Sequence, residues 1–139
     1  MAGGLNTILG VNLVTPRGVI AHTEANSVQA PGELGEFELL PGHIPMLTAL
    51  KPGVLTIGGK AKYAVGSGYL RVDPSGAVEI LVEQAQVATD VDRSAAEKDL
   101  AAAEKQLAEW GDKPLDGDYV NARGRADWAR ARIAASASH

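Results

Sequence analysis

The sequence has few of the residues that most often carry enzyme chemistry. It contains no cysteine among 139 residues, so it can form neither a disulfide nor a thiolate metal site, which is consistent with a reducing compartment. Its histidines are His22, His43 and His139, and their spacing matches no metal-ligand motif. The glycine-rich phosphate-binding motifs are also missing. With no nucleophile and base pair visible, an enzyme is the least favoured class of protein.

Aromatic residues and long apolar runs are scarce as well. Only 4% of the residues are aromatic while alanine is abundant, so we expect packing by small side chains. No stretch approaches the roughly 18 apolar residues of a membrane span, and the first residues lack the features of a signal peptide. These absences predict a soluble protein, and the lack of a transit segment favours a bacterial over an organellar precursor.

The charge balance argues against binding to nucleic acid. The formal net charge is −4, so no basic field is available to neutralise phosphates. The exception is the end of the chain, where four arginines stand against the single acidic residue Asp127: Arg123, Arg125, Arg130 and Arg132. Such a run is typical of a solvated helix face, and it is also suited to docking on the acidic surface of a partner.

The first 88 residues read as short strands separated by turns. Leu5 to Val14 alternates as a half-buried strand, and Val19 to Ala30 predicts a second strand that ends at Pro31-Gly32. Further strands are predicted by the apolar stretches 54–57, 60–65, 69–72 and 78–82, with a strong turn at residues 73–76. Short strands at this spacing indicate an antiparallel β-sandwich, and we place this domain at residues 1–88.

The period of the apolar residues changes after residue 88. Asp90 or Asp92 can cap a helix whose apolar stripe comprises Leu100, Ala103, Leu107 and Trp110. Gly111 ends it, and Asp118 can cap a second helix with the stripe Tyr119, Ala122, Ala126, Ala129 and Ile133. The short loop between the helices predicts an antiparallel two-helix hairpin at residues 89–139 and an α+β fold for the whole chain.

One stretch between the predicted strands is unusually rich in proline and glycine. It runs from Gly35 to Gly53, and neither a long helix nor a long strand can continue through it. Pro41-Gly42 is typical of a tight turn, because proline fixes φ and glycine accepts positive φ at the next position. His43 follows directly. A histidine at such a place is more often bonded to a nearby carbonyl than used as a ligand or base.

This stretch resembles the epsilon subunit of bacterial ATP synthase, which is equivalent to the delta subunit of the mitochondrial enzyme. The family pattern G-E-x4-P-G-H-x-P-x4-L-x-P-G stands here without a gap from Gly35 to Gly53. The resemblance extends from the Thr15-Pro16-x-Gly18 turn to the helical tail that opens at Asp90. It implies a non-catalytic rotor subunit of a proton- or sodium-driven ATP synthase, located peripherally on the cytoplasmic face of the bacterial inner membrane.

The resemblance also implies partners for each part of the chain. The sandwich would bind the gamma subunit and sit on the membrane rotor ring of c subunits, with Glu36 and His43 at the rim that faces the ring. From the residues themselves, because the stripes of the two helices are mostly alanine and contacts between small side chains are weak, we expect the tail to exchange between a state docked on the sandwich and an extended state on a partner. When extended it would reach the alpha and beta subunits of the catalytic head and inhibit ATP hydrolysis, with Arg123, Arg125, Arg130 and Arg132 pairing with acidic loops.

Some members of the family bind ATP on the tail through a segment Ile/Leu-Asp-x-x-Arg-Ala. The matching segment here is 91–96, in which Asp92 is present but Ala95 replaces the arginine. The charge-assisted donor to a nucleotide is therefore missing, and Arg93 lies about 200° away around the helix. We expect Asp92 to act as a helix cap and expect no cofactor.

Without the resemblance, a different class of protein would also fit the residues. A free-standing β-sandwich that binds a peptide or glycan, with a self-associating helical hairpin, has the same pattern of elements. Clustered exposed aromatic residues would favour it, but Phe37, Tyr63, Tyr69 and the two tryptophans are scattered along the sequence. Co-purification with a coiled-coil partner would separate the two interpretations.

Overall fold

The computed structural model describes residues 8–42 and 44–138, and its strands all precede its helices. The described part contains ten strands: β1 (Leu9–Thr15), β2 (Gly18–Ala25), β3 (Val28–Gly32), β4 (Gly35–Leu39), β5 (Met46–Leu50), β6 (Gly53–Ile57), β7 (Ala61–Val65), β8 (Gly68–Val72), β9 (Val78–Val82) and β10 (Ala85–Val87). A 3-10 turn (Ala88–Asp90) leads to α1 (Arg93–Ala108) and α2 (Gly117–Ser138). The predicted fold class, a β-sandwich followed by a two-helix hairpin, is confirmed.

The strands form one continuous hydrogen-bonded path that folds over a single core. Its order is β10-β7-β6-β3-β5-β8-β9-β1-β2, with β4 paired to β3. β3 pairs with β6 through Val28 and Gln29 and with β5 through Gly32, so the path passes from one layer to the other at this strand. The core is built from alternate residues of both layers, including Leu13, Leu55, Leu70 and Ile80, which are all fully buried.

The pairing within the described strands is antiparallel with one exception. β1 lies parallel to β9, from Val11 opposite Val78 to Val14 opposite Leu81. β1 thereby fills the position between β9 and β2, and its odd-numbered residues from Leu9 to Leu13 enter the core. The predicted alternation of this strand is confirmed for that stretch, while Leu5 lies outside the described residues.

The prediction of one strand from Val19 to Ala30 was wrong. The chain bends at Asn26 and Ser27, where β2 ends in one layer and β3 begins in the other. The backbone of this bend is held by the amide of Gly58, which donates to the carbonyl of Ser27 over 2.8 Å. Local sequence does not show a change of layer, because both segments are equally compatible with a strand.

The turn that follows β3 also lies later than predicted. Pro31 and Gly32 belong to β3, and the chain reverses at Glu33 and Leu34. The carbonyl of Pro31 accepts a hydrogen bond of 3.0 Å from the amide of Lys51. The predicted turns at Pro41-Gly42 and at residues 73–76 are confirmed, and Gly42 has a φ of 86°.

The helical hairpin packs on the sandwich through α2. That helix contacts β6, β7 and the 3-10 turn, while α1 packs on α2. Asp92 caps α1 and accepts a 3.0 Å hydrogen bond from the amide of Ala95, as predicted. The cap of α2 is Asp116, which accepts from the amides of Asp118 and Tyr119, so the prediction of Asp118 as the cap was wrong.

Candidate functional site

Two faces of α2 are buried, and they pack on different parts of the chain. The predicted stripe supplies the buried residues Ala122, Ala126 and Ala129. A second stripe, which the sequence analysis did not identify, is formed by Trp128, Ala131 and Ala135 and packs on Val54, Ala64 and Ala88. At 100° per residue the two stripes lie on opposite sides of the helix. α2 is therefore packed between α1 on one side and the sheet on the other.

Three of the four arginines predicted to contact a partner are bonded across the hairpin, from α2 to α1. Arg125 donates to Oε1 of Gln106 over 2.7 Å. Arg130 forms an ion pair of 3.2 Å with Glu104, and it also contacts Asp127 on its own helix over 3.1 Å. Each of these bonds to Gln106 or Glu104 connects α2 with α1.

Arg132 makes the third connection and is the least exposed of them. Its Nη2 lies 2.8 Å from Oδ2 of Asp99 on α1, and its side chain is only 15% exposed. The guanidinium group lies over the ring of Trp128, 5.6 Å from the ring centre. Its Nε is buried and has no hydrogen-bond partner within the described part of the chain. Arg132 therefore ties α1 to the tryptophan that packs on the sheet.

Arg123 differs from the other three because its bond stays within α2. Its Nη1 donates to the hydroxyl of Tyr119 over 3.4 Å, and this bond is the main cause that raises the pKa of Arg123. Arg123 is also exposed to solvent. It is consequently the arginine of this set that a partner could bind without breaking a bond between the two helices.

Glu36 lies in a cleft between the sheet and α2. It is the second residue of β4, opposite Pro31 of β3, and its side chain is exposed. The cleft has a volume of about 540 Å³ and is lined by charged side chains of both signs: Glu36, Lys51, Asp127 and Arg130. The second predicted rim residue, His43, lies outside the described residues.

The residues at the position of the family's nucleotide-binding segment are engaged in the start of α1. The carboxylate of Asp92 caps the helix, as described above, and Arg93 forms an ion pair of 3.3 Å with Glu97 one turn further on. Ala95, at the position of the missing arginine, is half-buried. The cap function of Asp92 agrees with the prediction.

The sheet presents an apolar surface that the sequence analysis missed. The pairing registers place five residues in one row across β5, β8, β9, β1 and β2: Ala49, Tyr69, Leu81, Val14 and Val19. Tyr69, Leu81 and Val19 are 56%, 48% and 62% exposed. A groove of about 800 Å³ runs beside this row and is lined partly by it. Strand registers are needed to find this surface, because its members are far apart in the sequence.

The described residues contain neither a membrane-spanning helix nor a metal-binding cluster. No helix within 8–42 and 44–138 is both long enough and apolar enough to cross a membrane. The same part of the chain has no group of three or more histidine, aspartate or glutamate side chains that could hold a metal ion.

Comparison with known proteins identifies the family. Residues 8–88 match the model of the ATP synthase delta/epsilon chain β-sandwich domain. The ATP synthase epsilon chain of Synechococcus sp. (strain WH7803) is 34% identical over 131 residues, covering 92% of this chain and 96% of the relative. That of Geobacter sulfurreducens is 41% identical over 114 residues, covering 80% of each.

Solved structures share the fold at lower sequence identity. A chain in the mitochondrial ATP synthase of Euglena gracilis, solved with its c-ring, matches 97% of this chain and 84% of its own length, with a TM-score of 0.78 and 20% identity. A chain of the Tetrahymena thermophila central stalk and c-ring matches 92% of this chain and 96% of its own, with a TM-score of 0.60 and 18% identity. The family match and the sequence relatives together show that the chain belongs to the ATP synthase delta/epsilon family, as an accessory subunit that is not itself catalytic.

Proposed function

We propose that the chain is the central-stalk subunit that couples the catalytic head of a proton- or sodium-driven ATP synthase to its membrane rotor ring. Residues 1–88 bind the gamma subunit and the ring, and residues 89–139 form a tail that restrains ATP hydrolysis. The family membership supports this role. The observation that carries it is the apolar row that α2 leaves uncovered. The subunit is peripheral, on the cytoplasmic face of a bacterial inner membrane.

The apolar row is the proposed binding surface for gamma. An apolar strip in which Val19, Tyr69 and Leu81 are about half exposed is unfavourable in water and is typical of a surface that a partner covers. The ion pair between Arg71 and Glu79, 3.2 Å long and on the same outer face, supplies a polar edge beside it. α2 packs on β6 and β7 instead, so gamma can bind while the tail is docked.

A charge placed in the middle of this row is expected to abolish tight binding to gamma. Leu81→Glu would leave a carboxylate desolvated and unpaired at the interface, which should raise the Kd by about 100-fold. The measurement is titration of purified gamma with the full chain. Leu115→Glu is the matched control, because Leu115 is 73% exposed but lies in the loop between the helices. Equal affinities for the two variants would contradict the proposed surface.

Glu36 and His43 are proposed to contact the ring. Glu36 is exposed at the rim of the cleft, where its carboxylate can meet a basic side chain of a c-subunit loop. Such an exposed pair fixes register more than it adds affinity. His43 follows the turn at Pro41-Gly42, and its assignment rests on the sequence motif alone.

The arginines of α2 are the proposed contacts with the alpha and beta subunits of the head. Three of them are bonded to α1 in the docked tail, so they can pair with acidic loops of the head only after those bonds are exchanged. Docking therefore engages Arg125, Arg130 and Arg132 in bonds that compete with the head, while Arg123 has no bond to α1. Binding of ATP to the tail has no part in this proposal. The carboxylate of Asp92 already caps α1, and Ala95 stands where the family's nucleotide-binding segment has an arginine.

ATP hydrolysis by the catalytic head tests the proposed function. We expect the full chain to lower the steady-state rate severalfold and a chain ending at Ala88 to bind gamma without lowering it. If both chains bind gamma and neither inhibits, the tail is not a brake and the coupling role stands alone. If neither binds gamma, the proposed function is wrong and a free-standing binding module becomes the better interpretation.

A further inference from the structure

The two interfaces of α2 are built from different interactions. On the sheet side the buried residues are small, since Ala64, Ala88, Ala131 and Ala135 are joined by only Val54 and Trp128. On the side of α1, Arg125, Arg130 and Arg132 cross to three partners in addition to the buried alanines. Each alanine contact buries little area, so apart from Trp128 and Val54 the residues of the sheet interface contribute little apolar burial. The interface with α1 combines the same kind of burial with polar cross-links.

The tip of the hairpin is also closed by a defined set of contacts. Nε1 of Trp110 donates to the carbonyls of Lys113 and Pro114, each over 3.1 Å. The ring of Trp110 lies 5.4 Å from the ring of Tyr119, which connects the end of α1 to the first turn of α2. These contacts hold the reversal of the chain independently of the sheet.

The connection between the sandwich and α1 is short. It consists of the 3-10 turn of Ala88–Asp90 followed by Val91 in an extended conformation. The cap at Asp92 then fixes the beginning of α1. If the hairpin rotates relative to the sheet, the backbone dihedral angles that change are therefore those of the few residues between Val87 and Asp92.

From these observations we infer that α1 and α2 leave the sheet together, as a closed hairpin that turns about residues 87–92. The cross-links of Arg125, Arg130 and Arg132 and the contacts of Trp110 persist when Trp128, Ala131 and Ala135 become exposed. Separation of the two helices is a later and rarer step. The inference concerns the free chain and is tested without gamma or the head, so its failure is distinct from a failure of the proposed function.

The absence of native cysteine permits a direct test with single cysteines in the full chain. Ala131→Cys reports exposure of the sheet side of α2, and Ala129→Cys reports exposure of the opposite side. The two residues are 3% and 0% exposed and lie two positions apart, so fraying of the helix end affects both alike. Ala30→Cys, in the fully buried core of the sandwich, gives the rate of global unfolding.

We expect a soluble thiol reagent to label Ala131→Cys at least tenfold faster than Ala129→Cys, and Ala30→Cys most slowly. Equal rates at the two helix positions would show that the helices separate when they leave the sheet, and would overturn the inference. Faster labelling of Ala129→Cys would overturn it as well, because α1 would then detach first. Equal rates at all three positions would mean that the hairpin moves only when the whole protein unfolds, which also contradicts it.

A second measurement tests the part played by the arginine cross-links. Glu104→Gln removes the partner of Arg130 on α1 and should raise the labelling rate of Ala129→Cys about threefold, with little change at Ala131→Cys. Glu97→Gln is the matched control, since it breaks an equally exposed pair, with Arg93, that stays within α1. Equal effects of the two variants on Ala129→Cys would contradict the assignment of the cross-links.

Discussion

Replacing Gly68 with alanine is expected to lower the free energy of unfolding of the sandwich by about 3 kcal/mol or more. A Cβ atom at Gly68 would overlap the carbonyl oxygen of Leu81 and lie 2.7 Å from Cα of Val82. Both are backbone atoms of β9, so no side chain can rotate away to make room. β8 would have to move, although it is paired with β5 as well as with β9.

The measurement is chemical denaturation of the full chain, followed by far-ultraviolet circular dichroism. Gly10→Ala is the control, because Gly10 also lies in a strand but a Cβ atom there would have no neighbour within 4 Å. That variant should be neutral or more stable by up to about 1 kcal/mol, since alanine restricts the unfolded chain. A Gly68→Ala protein within 0.5 kcal/mol of the parent would contradict the close packing of β8 on β9.

The second large effect is expected at the contact between α2 and the sheet. Ala135 is fully buried there, next to Ala64 and Ala88. Ala135→Glu would bury an unpaired carboxylate, which costs about 3 kcal/mol or more and shifts the docking equilibrium by a factor of about 100. The hairpin avoids this cost by leaving the sheet, so the tail should detach while the sandwich stays folded.

Tryptophan fluorescence can follow this detachment. Trp128 packs in the same cluster as Ala135, whereas Trp110 lies at the tip of the hairpin. The red shift of the emission in Ala135→Glu should therefore arise from Trp128. Ala137→Glu carries the same charge on an exposed position two residues away and should leave the spectrum unchanged. An unshifted spectrum in Ala135→Glu, with the sandwich intact, would show that the cluster does not hold the tail.

A detached tail also connects this prediction to the proposed function. If docking withholds the tail from the head, Ala135→Glu should inhibit ATP hydrolysis more strongly than Ala137→Glu does. Such a difference would come from the population of free tail, because neither substitution touches the arginines proposed to bind the head.

Much of the fold could be predicted from the sequence because the deciding interactions are local. The alternation of Leu9, Val11 and Leu13 gives a strand with one buried face. Asp92 caps α1 by accepting a hydrogen bond from the amide three residues later in the chain. Gly42 takes the positive φ that the turn after Pro41 requires. The proline and glycine motif likewise identified the family, since it is a contiguous pattern.

The errors arose where a choice depended on distant residues. The stretch from Val19 to Ala30 is divided because β2 and β3 belong to different layers, and no residue within it fixes that change. Asp116 and Asp118 are equally good caps by residue type, and the path of the loop from Trp110 decides between them. The second stripe of α2 was overlooked because alanine is compatible with both a buried and an exposed helix face.

The sequence by itself determined β1, β6 to β9, both helices, the turn at Pro41-Gly42 and the membership of a family, because each depends on neighbouring residues. The tertiary structure alone decided which residues meet. It placed Val14, Ala49, Tyr69 and Leu81 in one apolar row, and it gave Arg125, Arg130 and Arg132 their partners on α1. It also showed that Gly53 and Gly68 are needed for close approach to Pro31 and Leu81 rather than for positive φ. Registers and helix packing bring together residues that are far apart in the chain, and their energies depend on that proximity.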